Sequence, residues 1–201
     1  RLQLGTPFQE RSLNAAVDRL KALFRVNGFY SASVEPQREL SGEAQQIFLS
    51  FGVKTGKRAK YEMPVINGNA QMSDAAILRA SGWRIPIIHF WRQVTDARTR
   101  RGVQAILGKY QKKDRLTAHV ELKDLQFDPA RRRVKPVLAI DPGPKINITA
   151  VETKVSKGVL RRYVPVYQER AVDNDLLVEG ARNLRDYFQN KGYFDVDVDF
   201  R

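Results

Sequence analysis

Two histidines, three spaced aspartates and a Ser-Lys-Gly triplet are the residues whose types could do chemistry in this chain. His89 sits in an aromatic stretch, and His119 alternates with the apolar residues of a strand pattern, which points it outward. Neither has a companion at zinc-ligand spacing, such as HExxH or HxH. Asp195, Asp197 and Asp199 fall two apart on one face of an extended segment. Carboxylates so placed form the solvent side of a strand, and the loop and glycine of a calcium site are missing. Asp173-Asn174-Asp175 reads as a helix cap. Ser156-Lys157-Gly158 lacks the glycine-rich run that precedes a phosphate-binding Gly-Lys-Ser/Thr. No cysteine is present, which removes thiolate nucleophiles, thiolate ligands and disulfides together. No catalytic residue, metal site or cofactor is therefore expected.

Charge is the other chemical signal. The net charge of +13 attracts polyanions: nucleic acid, anionic lipid head groups or acidic segments of partners. Arg131-Arg132-Arg133 is the densest run and follows Asp128-Pro129, which is turn chemistry. The run is a candidate anionic-surface patch, with a solvated hairpin tip as the plainer alternative. No stretch approaches the roughly 18 apolar residues that a membrane-spanning helix needs.

The elements that would position such groups come from a repeat. VNGFYSASV at Val26–Val34 returns as NKGYFDVDV at Asn190–Val198. Counting back from Gly28, positions four, eight, eleven and fifteen hold Phe24, Leu20, Val17 and Leu13; from Gly192 they hold Phe188, Leu184, Ala181 and Leu177. That is the stripe of a helix with one buried face. Counting forward two, four and six gives Tyr30, Ala32 and Val34, then Phe194, Val196 and Val198, the period of a half-buried strand. A middle copy is anchored on Asp114, with Tyr110, Ile106, Val103 and Thr99 before it and Leu116, Ala118 and Val120 after it. The markers Gly28, Asp114 and Gly192 fall where a helix closes on a left-handed residue, which glycine adopts freely and Asp tolerates. Two further blocks, FGVKTGKRAKYEM and AIDPGPKINITAV, each read as strand, turn at Gly56 or Gly143, and new strand.

The middle copy is the complete one. Lys60 to Ile66 is expected as a first strand. Ser73-Asp74 caps a short helix to about Ala80, and Thr95-Asp96 caps a long one to about Lys113. A second strand, Leu116 to Phe127, turns through the Asp128–Arg133 loop into a third at Val134 to Ile140. The aromatic stretch between the helices, with Trp83, Ile87, Ile88, Phe90 and Trp91, is expected to fill core. The order is β-α-α-β-β, a small sheet with both helices on one face. Along the second strand the apolar parity changes, from Leu116, Ala118, Val120 and Leu122 to Leu125 and Phe127. One extra residue around Lys123-Asp124 would do this, which is the mark of a β-bulge.

On VNGFYSASV and NKGYFDVDV, the helices before them and the blocks around Gly56 and Gly143, the chain resembles tandem POTRA (polypeptide-transport-associated) domains. The resemblance implies an α+β protein of tandem β-α-α-β-β units, each a three-stranded mixed sheet with two helices on one face. Residues 1–54 would form a unit lacking its first strand, 55–141 a complete unit, and 142–201 a unit that stops after its second strand. The middle unit departs from the pattern by carrying Asp114 in place of glycine.

The family implies a non-enzymatic periplasmic arm of a BamA-like or TamA-like outer-membrane assembly factor, attached to its own C-terminal β-barrel. Unfolded outer-membrane polypeptides, and accessory lipoproteins, would be its partners, close to an anionic membrane surface. The edge strand Leu116–Phe127 is the expected binding element, through Leu116, Ala118, Val120, Leu122, Leu125 and Phe127. An extended client would add to its free backbone groups with little regard to sequence. Two alternatives stay open: the POTRA region of a two-partner secretion transporter, and a basic RNA-binding α+β repeat. No nucleic acid is expected, because the Gly-x-x-Gly loop of a KH domain and the aromatic strand pattern of an RNP domain are both missing.

Overall fold

A computed structural model describes residues 7–42 and 46–200. The first element is helix α1 (Glu10–Val26), which buries Leu13 and Val17, one turn apart on its apolar face. The helix closes through two bonds: Gly28 N–H donates to the Arg25 carbonyl and Phe29 N–H to the Phe24 carbonyl, both at 2.9 Å. Strands β1 (Ser33–Ser41) and β2 (Gln46–Lys54) then form an antiparallel pair, with Val34 opposite Val53. Helix α1 packs on β1, and Leu40 and Phe48 stay exposed.

The middle of the chain holds the larger core. The expected first strand, Lys60 to Ile66, is broken into β3 (Lys60–Tyr61) and β4 (Val65–Asn67), both parallel to the same later strand. Pro64 lies between them, and proline cannot donate to a ladder. Helix α2 (Asp74–Ser81) starts where the Ser73 hydroxyl accepts from Ala76 N–H, and helix α3 (Asp96–Gln111) where the Thr95 hydroxyl accepts from Arg98 N–H. Between the helices the chain makes a small hairpin, β5 (Arg84–Ile85) with β6 (Phe90–Trp91). Strands β7 (His119–Asp128) and β8 (Arg133–Asp141) complete the sheet, with β8 in the centre, β3 and β4 along one side and β7 along the other.

The core of this segment gathers Tyr61, Ile77, Trp83, Val94, Ile106, Tyr110, Val134 and Leu138. Its polar tips are satisfied: the Tyr61 hydroxyl lies 2.7 Å from Thr99 Oγ1, and the Tyr110 hydroxyl donates to the Ala70 carbonyl at 2.7 Å. Burial raises both phenols above their ordinary pKa. Trp83 stacks on Tyr61 with ring centroids 5.2 Å apart. A Cβ at Gly102 would run into the Trp83 indole and stand 2.9 Å from the Ser81 carbonyl oxygen, so α3 crosses the end of α2 at a point where only glycine fits. The aromatic stretch is thus divided. Trp83 fills core as expected, but Ile87 and Ile88 stand out at 91% and 66% exposure on the turn of the hairpin. That turn has nothing packed over it among the described residues, so apolar type alone did not bury it.

The last segment has helices α4 (Lys157–Tyr163), α5 (Val166–Glu169) and α6 (Asn174–Gln189), capped by the Ser156 hydroxyl at α4 and the Asp173 carboxylate at α6. Leu160, Val164, Val166 and Leu184 form its small core. Gly180 repeats the role of Gly102: a Cβ there would meet Val164 Cγ1 at 2.9 Å. Each of the two glycines precedes its left-handed marker, Asp114 or Gly192, by the same interval, a column absent from the apolar stripe read above. The strands expected here, after Gly143 and at Phe194–Val198, are not formed among the described residues. In the middle segment the central strand β8 takes hydrogen bonds from both flanks, and no described strand holds that place in the last segment. Alternating residues without a ladder partner form no strand.

Candidate functional site

Strand β7 is bonded to β8 along its whole length, and its other edge has no strand partner among the described residues. The ladder shifts register between Leu122, opposite Leu138, and Asp124, opposite Val137, leaving Lys123 as an extra residue. A bulge at this place twists an edge and re-aims the N–H and C=O groups beside it. The opposite flank of the sheet is less open: Tyr61 N–H donates to the Arg92 carbonyl at 3.0 Å, and Lys60 bridges Gln93.

The side chains of β7 divide between two faces. Val120 lies in the core beneath the helices, and Leu122, Leu125 and Phe127, with Ala118 just before the strand, pack against it. On the other face His119, Glu121 and Lys123 are exposed, with Lys123 Nζ 2.7 Å from Glu121 Oε2. The Lys123 ammonium beside Glu121 holds its carboxyl below the usual range. The free edge of the strand therefore presents backbone groups, because the apolar side chains are already engaged.

Leu116 needs a correction. It does not share the face of Val120, and it lies before the start of β7. It is buried instead with Leu160, Val164, Val166 and Leu184 of the last segment. Tyr30, in the same place after Gly28, packs against the middle core and stacks on Phe127 at 4.3 Å. Two residues after the left-handed marker, the chain thus plugs into the segment that follows. Phe194, in that place after Gly192, is 78% exposed.

The junctions repeat in their backbone as well. The markers have φ of 86° at Gly28, 62° at Asp114 and 92° at Gly192. The Gly28 carbonyl accepts from Ala59 N–H at 2.8 Å, and the Asp114 carbonyl from Ile146 N–H at 2.7 Å. At the first junction a Cβ on residue 28 would meet the Val94 carbonyl oxygen at 2.6 Å, and Arg58 stacks over Phe29 at 4.4 Å. At the second, the Asp114 carboxylate has room and takes both of its contacts from Arg161 Nη2, at 2.7 and 2.8 Å. Burial against the middle segment pushes the Tyr30 phenol up to about 12, opposed by the weaker pull of Arg25. These plug residues were legible only as strand positions.

The remaining candidates do not converge. Arg131 and Arg132 sit on the β7–β8 turn, held by Asp128, whose carboxylate accepts from Ala130 N–H at 2.9 Å. Arg133 begins β8 and reaches the Tyr61 carbonyl at 3.4 Å. Asp197 pairs with Arg185 at 3.1 Å, and no group of His, Asp or Glu among the described residues could hold a metal ion. One open depression of about 430 Å³ is lined by Tyr163, Asn183, Asp186, Tyr187, Asn190 and Lys191. Among the described residues no helix is long and apolar enough to cross a membrane.

No curated protein matches the chain. Among solved structures it is similar to POTRA domains 3–5 of Haemophilus influenzae BamA, at 16% identity and a TM-score of 0.43, covering 96% of this chain and 74% of that one. It is also similar to the N-terminal domain of Omp85 from the cyanobacterium Thermosynechococcus elongatus (13% identity, TM-score 0.39, 100% and 80% covered). POTRA domains 1–3 of Anabaena Omp85 match at 14% identity and a TM-score of 0.39, over 98% and 76%. At the level of sequence families, residues 144–201, the span that follows the second junction, match POTRA, the surface antigen variable number repeat.

Proposed function

We propose that this chain is the periplasmic POTRA region of an outer-membrane β-barrel assembly or translocation protein. It acts without covalent chemistry, holding unfolded outer-membrane polypeptides for delivery to a barrel. Its three units run over residues 1–54, 55–141 and 142–201, and accessory lipoproteins are further partners. The observation that carries the reading is the open outer edge of β7 with its bulge at Lys123. An edge of this kind adds an extended strand through main-chain hydrogen bonds, which suits clients that are β-strand material not yet folded. The POTRA match over residues 144–201 supports the periplasmic setting.

The test is a proline scan across β7, reading crosslinks between a photoreactive group at position 121 and an unfolded outer-membrane polypeptide. Proline at an outward N–H removes one donor from the edge. Variants that keep the native circular dichroism are expected to lose most of the crosslink. Undiminished crosslinking in all of them would end the strand-addition reading.

A further inference from the structure

The β5–β6 hairpin carries the most exposed apolar residues of the middle segment: Ile87 at 91%, Ile88 at 66% and Phe90 at 47% exposure. It is a convex tip, two short strands joined by the turn at residues 86–89, and not a groove that would cup a side chain. Its surroundings are cationic. Lys60 Nζ lies 4.1 Å from the Phe90 ring centroid, and Arg84 stacks over Trp91 at 5.3 Å. The same Lys60 joins this hairpin to the basic turn, since its N–H donates to the Arg132 carbonyl at 3.1 Å and it is paired in register with Arg133. Among the described residues none of Lys60, Arg84, Arg92, Arg132 and Arg133 has a carboxylate partner within salt-bridge distance. Arg131 has only two long contacts, at 3.9 Å, to Glu62 and Asp128.

We infer that the hairpin tip and the Arg131–Arg133 turn form one membrane-docking surface, which inserts Ile87 and Ile88 into the interface of an anionic bilayer. A tip of bare isoleucines with cations at the base of its hairpin combines the two attractions that hold a protein on such a surface: burial of apolar side chains below the head groups and attraction of basic residues to anionic lipid. Either alone is weak, because few side chains insert and exposed charges are screened by salt. A projecting hairpin tip fits a fluid phase, which closes around any shape, better than it fits a preformed protein pocket. Docking here leaves the outer edge of β7 to its own partner. The inference shares with the proposed function only a place beside a membrane, so vesicle binding and client crosslinking fail separately.

The absence of cysteine allows an environment-sensitive dye to be placed at a single site, Ile88→Cys. With vesicles of phosphatidylglycerol and phosphatidylcholine the dye is expected to shift to the blue and the protein to float with the lipid; with phosphatidylcholine alone neither happens. Ile87→Ser with Ile88→Ser, both at exposed sites, should weaken flotation about tenfold or more. Arg131→Gln with Arg132→Gln should weaken it by a similar factor. Flotation unchanged by the isoleucine pair would reduce the surface to charge alone and overturn the inference. So would a dye shift produced by polyglutamate and not by vesicles, which would indicate an acidic polypeptide as the occupant.

Discussion

The two junctions use the same parts in the same order and differ at the residue that turns the chain. At the first, Gly28 is pressed against the Val94 carbonyl, and the plug is Tyr30, half-buried on Phe127. At the second, Asp114 takes the same left-handed backbone, and its side chain reaches Arg161, while the plug is Leu116, buried to 4% exposure. The backbone geometry therefore asks only for a residue that tolerates positive φ; the wall behind it decides whether that residue carries a Cβ. The first junction rests on close backbone contact and a ring stack, the second on an aliphatic plug and an ion pair.

Exchanging the turn residues breaks this contrast most sharply. Gly28→Asp should cost about 3 kcal/mol or more, since a Cβ at positive φ must also displace a backbone oxygen. Asp114→Gly should stay within about 1 kcal/mol, because glycine suits the backbone and the lost pair is largely exposed. Urea unfolding followed by the fluorescence of buried Trp83 reads both, and equal costs would refute the wall at Val94 as the cause. Next come the plugs. Leu116→Ala should cost about 2–4 kcal/mol, and Tyr30→Ala about 1–2 kcal/mol because its ring is only partly buried. Hydrogen exchange should place the first loss in the segment after residue 144 and the second around β7.

Alkali separates the junctions further. The Tyr30 phenol, raised to about 12 in the fold from an ordinary 10, binds its proton more tightly folded than unfolded. Its contribution is whole below pH 10 and is lost as pH rises toward 12. Tyr30→Phe should remove this share of the alkaline loss and leave that of Tyr61 and Tyr110, as read by stability against pH; an unchanged profile would mean that the ring is not desolvated. The second junction has no titrating plug. The smallest effect is expected from Arg161→Gln. Its side chain is 51% exposed, so the loss should stay under about 1 kcal/mol and vanish in high salt.

Particular residues show where sequence reasoning reached and where it stopped. The caps at Ser73, Thr95 and Asp173 and the turns at Gly28, Asp114 and Gly192 were legible, because each is settled by hydrogen bonds within a few residues. Leu116 was misplaced. Its alternation with Ala118 and Val120 records that it avoids water, and says nothing about which core it enters. Ile87 and Ile88 were assigned to core on residue type alone, and only the hairpin's position shows that nothing lies over them. The alternation at Phe194–Val198 is present, yet a ladder needs a second strand at bonding distance, and the pattern of one strand cannot supply its neighbour. The column of Gly102 and Gly180 was visible at equal intervals from the markers, but its meaning depends on the helix crossing above it.

By itself, then, the sequence determined the capped helices and the recurring left-handed closures, since these follow from local sterics and short-range hydrogen bonds. Tertiary structure alone decided which strand edge is open, into which core Tyr30 and Leu116 are driven, and that two isoleucines stand bare on a hairpin turn. Those outcomes depend on which distant segments meet, and period and composition carry no record of the partner.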